Sequence, residues 1–100
     1  MPSRLEDKVS IVTGSSSGLG RAISLRYAQE GAAVVCADLK PSARIPGLEE
    51  NDTDTHELIQ RRGGKAIFVK TDVSSAKEME SLVQATVKEC GRLDMLVTDH

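Results

Sequence analysis

Aromatic side chains are almost missing from this 100-residue sequence, which has one tyrosine, one phenylalanine and no tryptophan. Positive charge is not in excess either, since 13 Lys and Arg residues face 15 Asp and Glu residues and the formal net charge is −2. Proteins that bind nucleic acids or anionic membranes usually carry clustered basic residues. We therefore expect neither a nucleic-acid partner nor a membrane partner.

Long apolar runs are also missing. No stretch approaches the roughly 18 apolar residues that a membrane-spanning helix needs, and residues 1–8 lack the apolar core of a signal peptide. We expect a cytoplasmic protein. A chain of this length is one domain or part of one and buries only about 60–65% of its unfolded surface, so its stability should be small.

The two cysteines do not form a disulfide framework or a metal-binding pattern. Cys36 lies in an apolar run and Cys90 ends an amphipathic pattern, so both are expected to be buried. His56, in a charged segment, is expected on the solvated surface, and His100 is terminal. The sequence therefore predicts no metal site, nucleophile or acid–base pair.

What the sequence does contain is a glycine-rich stretch, Thr-Gly-Ser-Ser-Ser-Gly-Leu-Gly at residues 13–20, between an apolar run and a helical pattern. A strand, a glycine loop and a helix start together form a cradle for phosphate groups. The spacing Gly-x-x-x-Gly-x-Gly differs from the common Gly-x-Gly-x-x-Gly fingerprint and from a nucleoside-triphosphate P-loop. We expect this loop to bind a diphosphate.

Strand and helix patterns alternate along the rest of the chain. The first helix is expected to bury Leu19, Ala22, Ile23 and Tyr27, and the last to begin at a capping box, Ser75 to Glu78. The apolar face of this last helix is expected to carry Met79, Leu82, Val83, Val87 and Cys90. Predicted strands cover residues 8–13, 32–37, 65–70 and 93–97, and predicted helices cover about 17–30, 53–61 and 75–90.

Residues 39–52, which contain Pro41, Pro46 and Gly47, are predicted to be a surface loop insertion. The alternation itself predicts an α/β fold, a Rossmann-like doubly wound parallel sheet with strand order 3-2-1-4. If nothing pairs with the fourth strand, its apolar edge should promote association. We expect a marginal, aggregation-prone or partner-dependent fold.

Ligands of such sheets bind beyond the carboxyl ends of the strands, where Asp38 and Asp72 are expected beside the glycine loop. Asp38 follows Gly18 by twenty residues, the distance expected for an acid that binds an adenosine ribose. A carboxylate there repels the 2′-phosphate of NADP. Although Lys40 and Arg44 are near in sequence, we favour NAD as the cofactor over NADP.

Taken together, the glycine loop, Asp38, the pair Asp72-Val73 and the segment Gly91-Arg92-Leu93-Asp94-Met95-Leu96-Val97 resemble the amino-terminal half of a short-chain dehydrogenase/reductase. The resemblance implies that the loop holds the cofactor diphosphate, that the acid Asp38 binds the adenosine ribose, with Leu39 beside it, and that Asp72-Val73 contacts the adenine. The loop residues included in this prediction are Gly14, Ser16, Ser17, Gly18, Leu19 and Gly20.

The chain departs from that family after the fourth predicted strand, where Asn-Asn-Ala-Gly is replaced by Thr98-Asp99-His100. The family's catalytic Asn, Ser and Tyr-x-x-x-Lys cannot be assigned, and Tyr27 is expected to be a packing residue. We therefore expect residues 1–100 to be the amino-terminal portion of one NAD(P)-binding domain. It would belong to an oxidoreductase for an alcohol or carbonyl substrate and be inactive alone.

Two alternatives remain from the sequence. One is a dinucleotide-binding or interaction module without catalysis. The other is a fragment of an S-adenosylmethionine-dependent methyltransferase, which also places glycines after its first strand and an acid after its second. The spacing of the glycine loop argues against the methyltransferase.

Overall fold

The computed structural model describes residues 5–15, 18–39 and 54–98. In these residues, four parallel strands alternate with three helices, and the strands lie in the order β3-β2-β1-β4. This confirms the predicted doubly wound α/β fold. The elements are β1 (Val9–Thr13), α1 (Gly18–Gln29), β2 (Ala33–Asp38), α2 (Thr55–Arg61), β3 (Lys65–Lys70), α3 (Ala76–Cys90) and β4 (Met95–Val97).

The sheet carries apolar side chains on both faces because neighbouring residues of a strand point in opposite directions. The register pairs Val12 with Cys36 on one face and Ile11 with Val35 on the other. We call these the first and the second face. The first is covered by α1 and α2, and its buried cluster is Val12, Val34, Cys36, Ile59 and Ala66. The second is covered by α3, and its buried cluster is Ile11, Val35, Ala37 and Leu82.

The prediction that Leu19 and Ala22 lie on the core face of α1 is wrong, since both are exposed. Two small residues, Gly20 and Ser24, are buried instead. A Cβ atom at Gly20 would overlap the carbonyl oxygen of Gly14, so the helix is closest to the preceding loop at this position. Tyr27 packs against the first-face cluster, as predicted.

The predicted apolar face of α3 is also partly wrong. Leu82 is buried, with Met79 and Val83 packed beside it, but Val87 and Cys90 are exposed. Thr86 is buried in their place and donates a hydrogen bond to the Leu82 carbonyl oxygen at 2.8 Å. The fully buried residues of α3 are therefore Leu82 and Thr86, which lie one turn apart. The buried surface of the helix is smaller than the apolar pattern in the sequence predicts.

Cys36 is buried, as predicted. Burial raises the pKa of its thiol from 9.0 to about 11. A thiol that stays protonated at neutral pH is a poor nucleophile, so Cys36 acts as a small packing residue.

The ends of α3 follow the predicted signals, with one difference in the capping box. The Ser75 hydroxyl accepts a hydrogen bond from the Glu78 N–H at 3.2 Å, and Gly91 ends the helix with a φ of 79°. The Glu78 carboxylate accepts from the Asp72 N–H at 3.1 Å rather than from Ser75. The box therefore joins α3 to the turn that follows β3.

β4 begins two residues later than predicted because Asp94 contacts β1 through both its backbone and its side chain. Its N–H donates to the Val9 carbonyl oxygen at 2.9 Å, and its Oδ2 accepts from the Val9 N–H at 2.8 Å. Arg92 donates two hydrogen bonds to the same carboxylate, at 2.8 and 2.7 Å. The hydrogen bond from Arg92 is the main reason that the pKa of Asp94 lies below its usual value.

The predicted surface loop at residues 39–52 lies outside the described residues except for Leu39. Among the described helices, none has the length and apolar character required to cross a bilayer.

Candidate functional site

The glycine loop adopts backbone conformations that favour glycine. Gly14 has a φ of 65° and Gly18 a φ of 56°, both in the left-handed region. A Cβ atom at Gly18 would meet nothing within 4 Å, so the space above it is open. The backbone is therefore accessible at Gly18, where α1 begins and its first N–H groups are free of partners within the helix. Ser16 and Ser17 lie outside the described residues.

The carboxyl ends of β2 and β3 lie side by side next to this loop. Asp38 pairs with Lys70 in the register, and the Thr71 N–H donates to the Asp38 carbonyl oxygen at 2.9 Å. Leu39 follows β2 directly, and Asp72 and Val73 follow β3. The predicted residues after β1, β2 and β3 are therefore brought to one edge of the sheet.

Three large apolar side chains are exposed at this edge. Leu19 is 64% exposed, Leu39 is 56% exposed and Val73 is 39% exposed. Each belongs to a different one of the three segments that meet there, one following each of the first three strands. An edge with exposed apolar side chains, open glycine backbone and carboxylates has the composition of a small-molecule site.

The two predicted carboxylates make different contacts. Asp38 accepts a hydrogen bond from the Leu39 N–H at 2.7 Å and is half-buried at the strand end. Asp72 accepts from the N–H and the hydroxyl of Ser74 at 2.9 and 2.6 Å. The Ser74 hydroxyl is the main cause that lowers the pKa of Asp72. Asp72 thus stabilises the turn between β3 and α3 and holds Val73 at the edge.

A buried contact that the sequence did not predict joins α2 to the glycine loop. The Thr55 hydroxyl donates to the Ser15 carbonyl oxygen at 2.7 Å and accepts a hydrogen bond from Arg21 Nη1 at 3.0 Å. We call these three residues and their two hydrogen bonds the Thr55 bridge. Thr55 and Ser15 are separated by 40 positions, so no local pattern could reveal the contact.

His56 is half-buried, whereas the sequence predicts a solvated surface position. Its ring stacks on Phe68 with centroids 5.8 Å apart, and its Nδ1 is buried without a hydrogen-bond partner among the described residues. One ligand-type atom from each of Asp54, His56 and Glu57 lies within 4.8 Å of the others. Asp54 and Glu57 flank the start of α2, where carboxylates are favoured by the helix dipole without any metal ion.

The fold that forms this edge agrees with the comparison to known proteins. The family model described as short chain dehydrogenase matches residues 8–99. The chain belongs to the short-chain dehydrogenase family. The S-adenosylmethionine-dependent methyltransferase is thereby no longer favoured.

Two curated relatives and one solved structure illustrate the similarity. An uncharacterized oxidoreductase of Methylorubrum extorquens is 43% identical over 97 residues, which are 97% of this chain and 36% of that protein. The 3-hydroxyacyl-CoA dehydrogenase type-2 of Drosophila melanogaster is 39% identical over 93% of this chain and 32% of its own length. A crystal structure of hydroxysteroid dehydrogenase from Escherichia coli matches with a TM-score of 0.80 and 29% identity, covering 95% of this chain and 37% of that one. The chain thus spans about a third of the length of these short-chain dehydrogenases.

Proposed function

We propose that these residues form the cofactor-binding part of an NAD-dependent oxidoreductase, which transfers a hydride between the nicotinamide and an alcohol or carbonyl substrate. The observation that carries the proposal is the convergence of the glycine loop, Asp38-Leu39 and Asp72-Val73 at one edge of the sheet. Membership of the short-chain dehydrogenase family supports a nicotinamide dinucleotide as the ligand.

The diphosphate is proposed to lie over the glycine loop. Gly18 leaves open space there, and the free N–H groups and positive dipole end of α1 favour an anion. Gly20 lets α1 approach the Gly14 carbonyl oxygen closely, which no residue with a Cβ could do. Ser16 and Ser17, which complete the loop in sequence, are proposed to donate further hydrogen bonds to the phosphate oxygens.

The choice of NAD over NADP is proposed to depend on Asp38. Its carboxylate lies at the carboxyl end of β2, where it accepts a hydrogen bond from the Leu39 N–H. It can also accept hydrogen bonds from the hydroxyl groups of an adenosine ribose. The same negative charge would repel a 2′-phosphate. The exposed side chains of Leu39 and Val73 are proposed to pack against the adenine, with Asp72 holding Val73 in place through its turn.

The roles assigned to these residues concern cofactor binding alone, because the 100 residues contain no Tyr-x-x-x-Lys. The names of the Drosophila and Escherichia coli proteins support an alcohol or carbonyl group as the substrate. A cytoplasmic location, the single-domain assignment and inactivity of the chain alone remain predictions from the sequence.

A fluorescence titration of the protein with NADH and NADPH tests the proposal. We expect NADH to bind at least about tenfold more tightly, since charge-assisted hydrogen bonds contribute about 1.5–3 kcal/mol. The variant Asp38→Asn should lose most of this preference. Glu89→Gln, which removes the same charge from an exposed position of α3, should keep it. A folded protein that binds neither nucleotide would contradict the proposed function, and equal affinities would contradict the role of Asp38.

A further inference from the structure

The Thr55 bridge lies directly beneath the glycine loop and is closed to solvent. Thr55 is 0% exposed, Ser15 is 1% exposed and Arg21 is 7% exposed. Thr55 is the first residue of α2, Ser15 follows Gly14, and Arg21 follows Gly20 on α1. The bridge therefore connects the first turns of two helices to the backbone of the loop.

The Thr55 hydroxyl is used for contacts outside its own helix. It donates to the Ser15 carbonyl oxygen and accepts from Arg21, so its proton and one lone pair are both engaged. A loop conformation that turned the Ser15 carbonyl away would leave a buried hydroxyl proton without an acceptor. Unsatisfied buried polar groups are costly, so the bridge favours one conformation of the loop.

The loop is thereby held from two sides. On the α1 side, the absence of a Cβ at Gly20 lets the helix contact the Gly14 carbonyl oxygen. On the α2 side, the Thr55 hydroxyl binds the next carbonyl, that of Ser15, at 2.7 Å. The carbonyl groups of Gly14 and Ser15 are therefore both held in fixed orientations. They lie at the start of the segment proposed above to receive the diphosphate.

We propose that Thr55 is a positioning residue for the dinucleotide site, which acts on the cofactor through the Ser15 carbonyl without touching it. This inference rests on the proposed function, because it assigns Thr55 to the same site. It also couples the start of α2 to the glycine loop, so a change at one is transmitted to the other. Arg21 fixes the Thr55 rotamer and places a buried positive charge close to the loop.

The test uses three variants. Thr55→Val keeps the side-chain shape and removes the hydroxyl, and Thr55→Ser keeps the hydroxyl. Thr86→Val is the matched control, because Thr86 is also buried and also donates to a backbone carbonyl, that of Leu82, but lies on α3 away from the loop. For each variant, the midpoint of urea unfolding and the Kd for NADH are measured.

We expect Thr55→Val to raise the Kd for NADH about tenfold, since removal of one buried hydrogen-bond partner has an effect of that size. Thr55→Ser should stay within about twofold of the original Kd. Thr86→Val should shift the unfolding midpoint but leave the Kd unchanged. The inference is overturned if Thr55→Val binds NADH as well as the original protein, or if Thr86→Val weakens binding equally.

Hydrogen exchange of the amides of residues 14–20, measured without cofactor, separates this inference from the proposed function. Thr55→Val should accelerate their exchange about tenfold and Thr86→Val should not. If the folded protein binds no NADH at all, the proposed function fails, and hydrogen exchange alone then tests whether Thr55 positions the glycine loop. Unchanged protection of the loop in Thr55→Val would show that the Thr55 bridge does not position it.

Discussion

The two faces of the sheet differ in how completely they are covered. On the first face, α1 and α2 enclose a cluster in which Val12, Cys36 and Ile59 are at most 1% exposed. On the second face, among the described residues, α3 alone contributes a helix, and Ile67, Val87 and Leu96 remain 49%, 44% and 47% exposed. The better-packed face is the one that also positions the glycine loop, through Gly20 on α1 and Thr55 on α2.

This difference has a physical basis in the loop itself. A phosphate-binding backbone must be held in a conformation that glycine alone tolerates, and flexible glycine must lose conformational entropy to hold it. Dense packing and buried hydrogen bonds on the first face offset that cost. The second face carries no described part of the candidate site except the turn at Asp72.

The largest expected effect comes from removing packing on the first face. Ile59→Ala deletes a side chain that is 1% exposed and should lower the free energy of unfolding by about 2–5 kcal/mol. Leu82→Ala, on the second face, should cost less, because its neighbours Met79 and Val83 are only partly buried and can move into the space. Urea unfolding followed by circular dichroism measures both.

Val87→Ala is the control for this pair, since Val87 is exposed and its truncation should change stability by no more than about 0.5 kcal/mol. If Leu82→Ala destabilises the protein as much as Ile59→Ala does, the first face is not more densely packed than the second. Faster hydrogen exchange of the glycine-loop amides in Ile59→Ala would show that packing on the first face also holds the loop.

A smaller effect is expected at Asp94, which attaches β4 to β1. Its pKa is lowered from 3.8, so the carboxylate form is favoured by folding. Its contribution to stability is therefore present at neutral pH and is lost as the pH falls below 3.8 through the lower pKa of the folded state. Asp94→Asn should lower Tm at neutral pH, and the difference from the original protein should shrink in acid.

Thermal melts at about pH 7 and about pH 3 measure this change. Glu89→Gln is the matched control, because it removes one carboxylate that has no ion-pair partner among the described residues. A Tm difference for Asp94→Asn that is the same at both pH values would show that the charge of Asp94 has no role in holding β4.

The fold and the main site segments were predictable because they depend on local patterns. Residues 65–70 were predicted as a strand with the observed limits, and the runs around Val12 and Cys36 are apolar on both sides of the strand, as a covered parallel sheet requires. Helix faces were less predictable. Leu19 looked like a core residue because it is apolar, but the close approach at Gly20 turns it outward.

The Thr55 bridge and the contact between His56 and Phe68 could not be predicted, because each joins residues distant in sequence through tertiary packing. The same holds for Asp94, whose side chain replaces a strand hydrogen bond to Val9. Hydrophobic periodicity reports which residues are buried, but it does not report which polar groups meet. The residues that hold the loop in place therefore became visible only in the structure.

The smallest expected change in stability concerns the edge strand β4, where the sequence predicts association. Leu96 is 47% exposed on β4, which pairs only with β1 among the described strands. An edge strand with an exposed apolar side chain is a site for pairing between chains. Leu96→Lys should change the free energy of unfolding by less than about 0.5 kcal/mol. It should nevertheless reduce concentration-dependent association, measured by sedimentation velocity.

Ala22→Lys places the same charge on an exposed position of α1, on the first-face side, and should leave association unchanged. If both variants reduce association equally, net charge rather than the second face controls it. If the original protein sediments as a monomer at every concentration, the prediction of an association-prone edge is wrong. A selective effect of Leu96→Lys would instead show that the exposed edge strand β4, which lies apart from the glycine loop, governs how the protein associates.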